Sequence, residues 1–542
     1  MTLNVLEPLD PTKKLSGKDI SYFIFFTAAA IGVTFTFSAF QATDPFRTQV
    51  AGEENIFNAS GLPYLNQTNT SIVEAVQGTI PISVTYMSVA NRAHAVLLYA
   101  MMKFVGEAFG ERKQLLKNNA TPEKVEQSNQ ILRSLMRNGI VATSILSASF
   151  AASLAFLSRI IFDWVCEDPA QAKLAYISAS NLWPGSIALL FRILVEQFIF
   201  NATLKVILLS GLVCLITFAL GSTASILLGQ QYGFAGMSWG FDLETAATFA
   251  CFVAILSSLP ATKSIQLFHF NSIGITKNWG LIPPILKFAL IKFIPAFHEV
   301  FIPLVLSMMA ANKDKQNTFD FNPALELYNY TRLVMIAFSI ALRKTISQQK
   351  GAITTENKPL ILNNLRKTII YGFSTVTMAS LLITALIYIT IRLSTKDMTK
   401  DGSNLLAWYA GIGFTTATSM TASTILSMIN NKLATLATIV STTVSWLALA
   451  IFAYAFKTQN FEFEAAGPTF FAANCLIMLI LAVPTFQLLN KKKLEEAIAV
   501  SESEAAKNQE NKSCCRLLSC RRYEPVNTTA AKTEEQQLDQ KI

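Results

Sequence analysis

Apolar residues come in blocks of the length that crosses a bilayer core, roughly 20 helical residues. Ile20–Phe40, Val206–Leu228, Leu405–Ile429, Leu433–Phe456 and Gly467–Leu489 contain no Asp, Glu, Lys or Arg. Buried helices of soluble proteins seldom repeat that pattern so often. It predicts an all-α, polytopic integral membrane protein. Twelve spans follow, at about 20–42, 77–107, 137–162, 173–198, 204–229, 236–259, 282–311, 324–343, 366–392, 404–429, 432–456 and 466–490. The polar, aromatic-poor ends, 1–18 and about 495–542, read as disordered.

The twelve spans read as six repeated. Leu132-Arg133 is echoed by Leu365-Arg366, and Ala235-Gly236 by Ala466-Gly467, at nearly one offset. Six helices per half set both halves in the same orientation, a parallel repeat that places a midplane site between two lobes in several transporters. The expected domains are a segment 1–18, a first lobe 19–259, a linker 260–281, a second lobe 282–490 and a tail 491–542.

Composition adds topology. The chain of 542 residues is 52% hydrophobic and 15% charged, with a net charge of +9. Lys and Arg gather before the first span, in 111–137, in 343–367 and after 490. Basic loops mark the cytosolic side, so both termini are expected there. The positive balance therefore reads as membrane topology, with no nucleic-acid partner. The first apolar run lacks a clean cleavage site and reads as a retained span. Either a plasma or inner membrane, or a host endomembrane, fits.

The seven cysteines carry no metal spacing and no disulfide framework. Cys514, Cys515 and Cys520 sit among basic residues in the tail. They are candidates for S-acylation, and free thiols on a flexible tail are the alternative. Asn58, Asn66 and Asn69 head glycosylation triplets in the loop 43–75.

"VGEAFGERKQ" (105–114), "CEDPAQAKLAYISASNLWPGSIALLFRIL" (166–194), "GFAGMSWGFDLETAATF" (233–249) and "ILKFALIKFIPAFHEVF" (285–301) carry a resemblance in their order and spacing. Over about 15–490 the chain resembles the multidrug and toxic compound extrusion (MATE) transporters of the MOP flippase superfamily. The resemblance implies a V-shaped pair of six-helix bundles and export of small organic ions or xenobiotics, in exchange for protons or sodium, by alternating access. The coupling ion would be the only cofactor, and the partners a small organic ion and the bilayer, with the protein a monomer. Many bacterial relatives have an acid in the first helix, and some have one in the tenth. Neither "SYFIFFTAAAIGVTFTFSAF" nor "LLAWYAGIGFTTATSMTASTIL" has a carboxylate.

Glu299 then becomes the leading coupling candidate. An intramembrane acid is costly and commonly functional. Pro295 one turn earlier removes a helical hydrogen bond and provides a hinge. Lys292 lies two turns back on about the same face; a structural Glu299–Lys292 contact is the alternative reading. His298 titrates near neutrality and is a candidate relay, or packs against a hydroxyl. Arg92 and His94 fall in the second span, where arginine pairs within its lobe or meets an anionic substrate. Arg192 and Glu196 read as an intrahelical pair, and Asp242 and Glu244 as acids at the start of the sixth helix. No catalytic triad or phosphate-cradling loop stands out, which argues against an enzyme. Three other functions stay open: a flippase for lipid-linked saccharides, an exporter of citrate-like anions, and a non-transporting protein or secreted effector that uses its tail.

Overall fold

The computed structural model describes residues 9–10, 13–38, 44–60, 100–166, 169–268, 315–394, 399–458 and 462–499, with isolated positions at 76–87 and 285–309. These residues are helical apart from short connections. In chain order, α1 is Gly17–Ser38, α2 Asp44–Ala51 and α3 Glu53–Ala59. Residues 100–117 form α4. Next come α5 (Pro122–Ala152), α6 (Ser158–Val165), α7 (Pro169–Ser180), α8 (Trp183–Asn201), α9 (Leu204–Ser258) and the single turn α10 (Pro260–Lys263). The second half has α11 (Lys315–Gly351), α12 (Lys358–Ser394), α13 (Lys400–Ile429), α14 (Asn431–Thr458) and α15 (Ala466–Gln487). Residues 491–499 form α16.

Six stretches among the described residues are long and apolar enough to cross a bilayer: Pro122–Trp164, Trp183–Asn201, Leu204–Ser258, Lys358–Ser394, Leu433–Thr458 and Phe463–Gln487. Their outward faces are apolar, with Phe156, Trp164, Leu220, Leu382 and Leu436 all exposed. In water such faces would drive aggregation, whereas in lipid they are solvated. This is a multi-pass integral membrane protein.

Local sequence explains the breaks. The fifth and sixth expected spans are two helical arms, together labelled α9, that meet without a loop at a kink at Gly233, where φ is 63° and ψ −143°. That backbone region favours glycine. The expected fourth span, 173–198, is two helices, because the chain leaves α7 at Asn181-Leu182 and restarts at Trp183. Asn181 Nδ2 donates to the Ile177 carbonyl at 2.8 Å, and Pro184 suits the first turn of α8. A π-helical turn at Ser153–Leu157 joins α5 to α6. At α13, the Thr399 hydroxyl accepts from the Gly402 amide at 3.0 Å as an N-cap.

Among the described residues, one apolar core is shared by the two halves. A continuous apolar cluster joins Ile24, Met101 and Leu132 of the first half to Leu342, Ile369 and Ile425 of the second. It lies at the end where the basic loops cluster, here called the basic end. At the opposite end the clusters separate. Phe321, Tyr409, Phe452 and Phe463 form one in the second half. Ile56, Phe57, Leu174 and Phe234 form another in the first. With a further small cluster of Phe162, Ala172, Ala175 and Ala179, the described residues form one core shared between the halves and three that lie within a single half.

Two terminal segments differ from expectation. Residues 13–16, expected to be disordered, lie against α12. Asn364 Nδ2 donates to the Lys13 carbonyl at 2.8 Å, the Leu15 amide donates to Asn364 Oδ1 at 3.1 Å, and Lys367 Nζ donates to the Leu15 carbonyl at 2.7 Å. Lys117 pairs with Asp10 at 2.7 Å. At the other terminus, α16 extends past 495 and buries Ala497 and Ile498 in the shared core.

Candidate functional site

Half-way along α8, Arg192 meets acids from two helices. Its Nε donates to Glu196 Oε1 at 3.0 Å, one turn on. Its Nη1 donates to Glu244 Oε1 at 2.9 Å, from the second arm of α9. Nη2 reaches Cys214 Sγ at 3.7 Å, on the first arm, and the guanidinium lies 5.8 Å from the Phe252 ring centroid. The Arg192, Glu196 and Glu244 side chains are at most 4% exposed. Glu244 also accepts from the Thr245 hydroxyl at 3.2 Å and the Thr248 hydroxyl at 3.1 Å. Thr248 and Thr217 share a 2.7 Å hydrogen bond. The kink at Gly233 folds the two arms of α9 back on one another, so both flank Arg192.

Chemically this is one cation and two potential anions in a dry interior. Ion pairing offsets part of the desolvation cost, and an unmatched second carboxylate would leave a buried charge. The cluster therefore suits binding and release of a single positive charge. Among the described residues, no group of three His, Cys, Asp or Glu side chains is placed to hold a metal ion.

The expected Arg192–Glu196 pair is present. Glu244 and Asp242 act differently from expectation. Neither caps its own helix. Glu244 completes the cluster, and Asp242 Oδ1 accepts from the Gly185 amide at 2.7 Å, capping the start of α8 instead. Arg92, His94, Lys292, Pro295, His298 and Glu299 lie outside the described residues, as do Asn66, Asn69, Cys514, Cys515 and Cys520. Asn58 is exposed near the end of α3.

A second constellation sits where the halves meet at the basic end. Lys344 Nζ of α11 donates to the Ala202 carbonyl at 2.6 Å, just past α8, and Gln348 Nε2 donates to the Asn201 carbonyl at 2.8 Å. Lys103 Nζ of α4 reaches the Ser427 carbonyl of α13 at 3.4 Å. Lys350 pairs with Glu107 across the interface at 3.4 Å. Sequence reading missed these lysines because each sits near a span end, where basic residues are ordinary.

Solved structures decide what this architecture is. The crystal structure of MATE in complex with MaL6 superposes with a TM-score of 0.61 at 12% identity, covering 92% of this chain and 100% of that one. An outward-facing multidrug resistance MATE family transporter of the MOP superfamily gives 0.60 at 14% identity, covering 89% and 100%. The fold is that of the MATE transporters. A MOP superfamily transporter from Pyrococcus furiosus, with a binding pocket of reverse polarity, matches the MATE-fold chain at 0.60 and 13% identity, over 90% and 99%. No family model matches the sequence, and no curated protein matches it. The likeness to these structures is one of fold. The buried Arg192 cluster is built from this chain's own residues within that fold.

Proposed function

We propose that this MATE-fold protein is a secondary active antiporter that moves small organic ions by alternating access in exchange for protons. The observation that carries the reading is the charge imbalance around Arg192, one guanidinium against two carboxylates that are both within reach and both buried. A proton on one acid balances the site, and its departure leaves a net negative charge at low dielectric. Glu244 takes hydrogen bonds from Arg192, Thr245 and Thr248. Glu196 takes one from Arg192. With fewer hydrogen bonds to hold its charge, Glu196 carries the exchangeable proton in this reading.

Cargo follows from the same charge. A deprotonated cluster attracts an organic cation entering between the arms, and reprotonation repels it. Competition of that kind is what exchange needs. The adjacent guanidinium repels a metal cation, so protons are favoured over sodium. Glu299 is assigned the corresponding duty in the second half, with His298 as its neighbour and Pro295 as a bend.

The test is efflux from proteoliposomes under separately imposed proton and sodium gradients, with a panel of fluorescent organic cations and anions. Proton-driven movement of a cation is the expected result. Movement of anions alone, or under sodium alone, would overturn the assignment.

A further inference from the structure

The interface at the basic end is two-fold. An offset of 241 residues (344 minus 103) relates Lys103 to Lys344, Gly106 to Ser347 and Gly110 to Gly351, so "KFVGEAFG" and "KTISQQKG" are equivalent. The contacts obey the same symmetry. A side chain on Gly106 would overlap the Ser347 hydroxyl, its own equivalent, which places the axis there. A side chain on Gly110 would overlap the Gln348 carbonyl, and one on Gly351 the Glu107 carbonyl. Gln348 and Glu107 are also equivalents under this offset. The backbones of α4 and α11 therefore touch along a short glycine seam, an approach that any larger residue would hold apart.

The lysines repeat the relation at longer range. Lys344 donates to a carbonyl at the end of α8, in the opposite half. Lys103 donates to one in the last turn of α13, also in the opposite half. These are the fourth and tenth spans, partners in the duplication. Helix C-termini leave carbonyls unpaired and concentrate partial negative charge. An ammonium there is bound by a hydrogen bond and by the dipole together. Lys103 is 5% exposed and Lys344 1%. The Phe23 ring, 5.8 Å from Lys344 Nζ, gives that head a further first-half contact.

We propose that Lys103 and Lys344 are symmetry-related latches that hold the two halves closed at the basic end, each by capping a helix C-terminus of the other half. Opening that end separates α4 from α11 and withdraws both ammonium groups together. Because the two latches release in one motion, the end is held shut cooperatively, and it opens when water or cargo can replace both carbonyl contacts. The role of this opening in a transport cycle rests on the antiporter reading; the latch itself does not.

Hydrogen–deuterium exchange on the full chain in detergent, without cargo, tests it. The reporters are the amides of 200–206 and 425–431, with 234–240 at the far end as a reference. Lys103→Met and Lys344→Met are each expected to raise exchange about tenfold in both reporter segments. The double variant should raise it further, and Lys103→Arg with Lys344→Arg should keep most of the protection. Unchanged exchange in the Met variants overturns the latch. So does a rise confined to the segment that lost its own lysine, or an Arg variant as unprotected as the Met variant. A failure to transport in vesicles would leave this exchange result standing, so the two readings fail separately.

Discussion

The same pair of helices is bridged in both halves, by different chemistry. In the first half, the fourth and sixth spans are joined by Arg192 between two carboxylates. In the second, α13 and α15 are joined by the Thr416 hydroxyl donating to Asn474 Oδ1 at 3.1 Å. Among the described residues on α13 near Thr416, the polar groups are neutral and serve their own helix. Thr415, Ser419 and Thr421 donate to carbonyls three or four residues back. A neutral bridge of this sort has no charge to exchange. The two copies keep the same helix pair bridged, and in the antiporter reading the charged copy is the ion site. At the basic end the two copies have instead kept the same lysine and glycine positions, because both are needed to form one symmetric seam.

The comparison breaks most visibly at its strongest bond. Arg192→Met leaves two buried carboxylates without a counter-charge, and is expected to cost about 3–5 kcal/mol in thermal unfolding in detergent. Asn474→Leu in the second half leaves the Thr416 hydroxyl without its bridge, and should cost only about 1–3 kcal/mol in the same assay. Equal losses would mean the two bridges are energetically alike, and the contrast drawn here would be lost. Smallest of all, Asp10→Asn removes the partly exposed pair with Lys117. It should change stability by less than about 1 kcal/mol, and less still at high salt.

Much of the frame was legible in the chain. Charge-free blocks marked five of the twelve expected spans, because lipid tolerates few alternatives to an apolar helix. Arg192 and Glu196 were legible as a pair because four-residue spacing is set by the helix itself. Glu244 was not, because its partner lies 52 residues away in sequence and the two meet only through the fold. Its position at the start of the expected sixth helix pointed to capping instead. The break at Asn181-Leu182 was hidden by apolar residues on both sides; Pro184 was the available signal. Residues 13–16 read as disordered because they are polar, and Asn364 and Lys367 order them by taking up their backbone groups. The lysine seam had a sequence trace, the match of "KFVGEAFG" to "KTISQQKG", but its offset differs from the 233 residues (365 minus 132) that relate Leu132 to Leu365. The stretch from Gly351 to Leu365 is shorter than that from Gly110 to Leu132, because α11 ends at Gly351 whereas α4 runs on to 117, and the change of offset hid the match.

The central claim is that Glu196 carries the exchanged proton. The direct measurement compares wild type, Glu196→Gln and Glu299→Gln in proteoliposomes, each assayed for accumulation of a fluorescent organic cation under a pH gradient and for cargo-for-cargo exchange without one. The account predicts that Glu196→Gln loses pH-driven accumulation at least tenfold while cargo-for-cargo exchange continues. Accumulation by Glu196→Gln at the wild-type rate would contradict it.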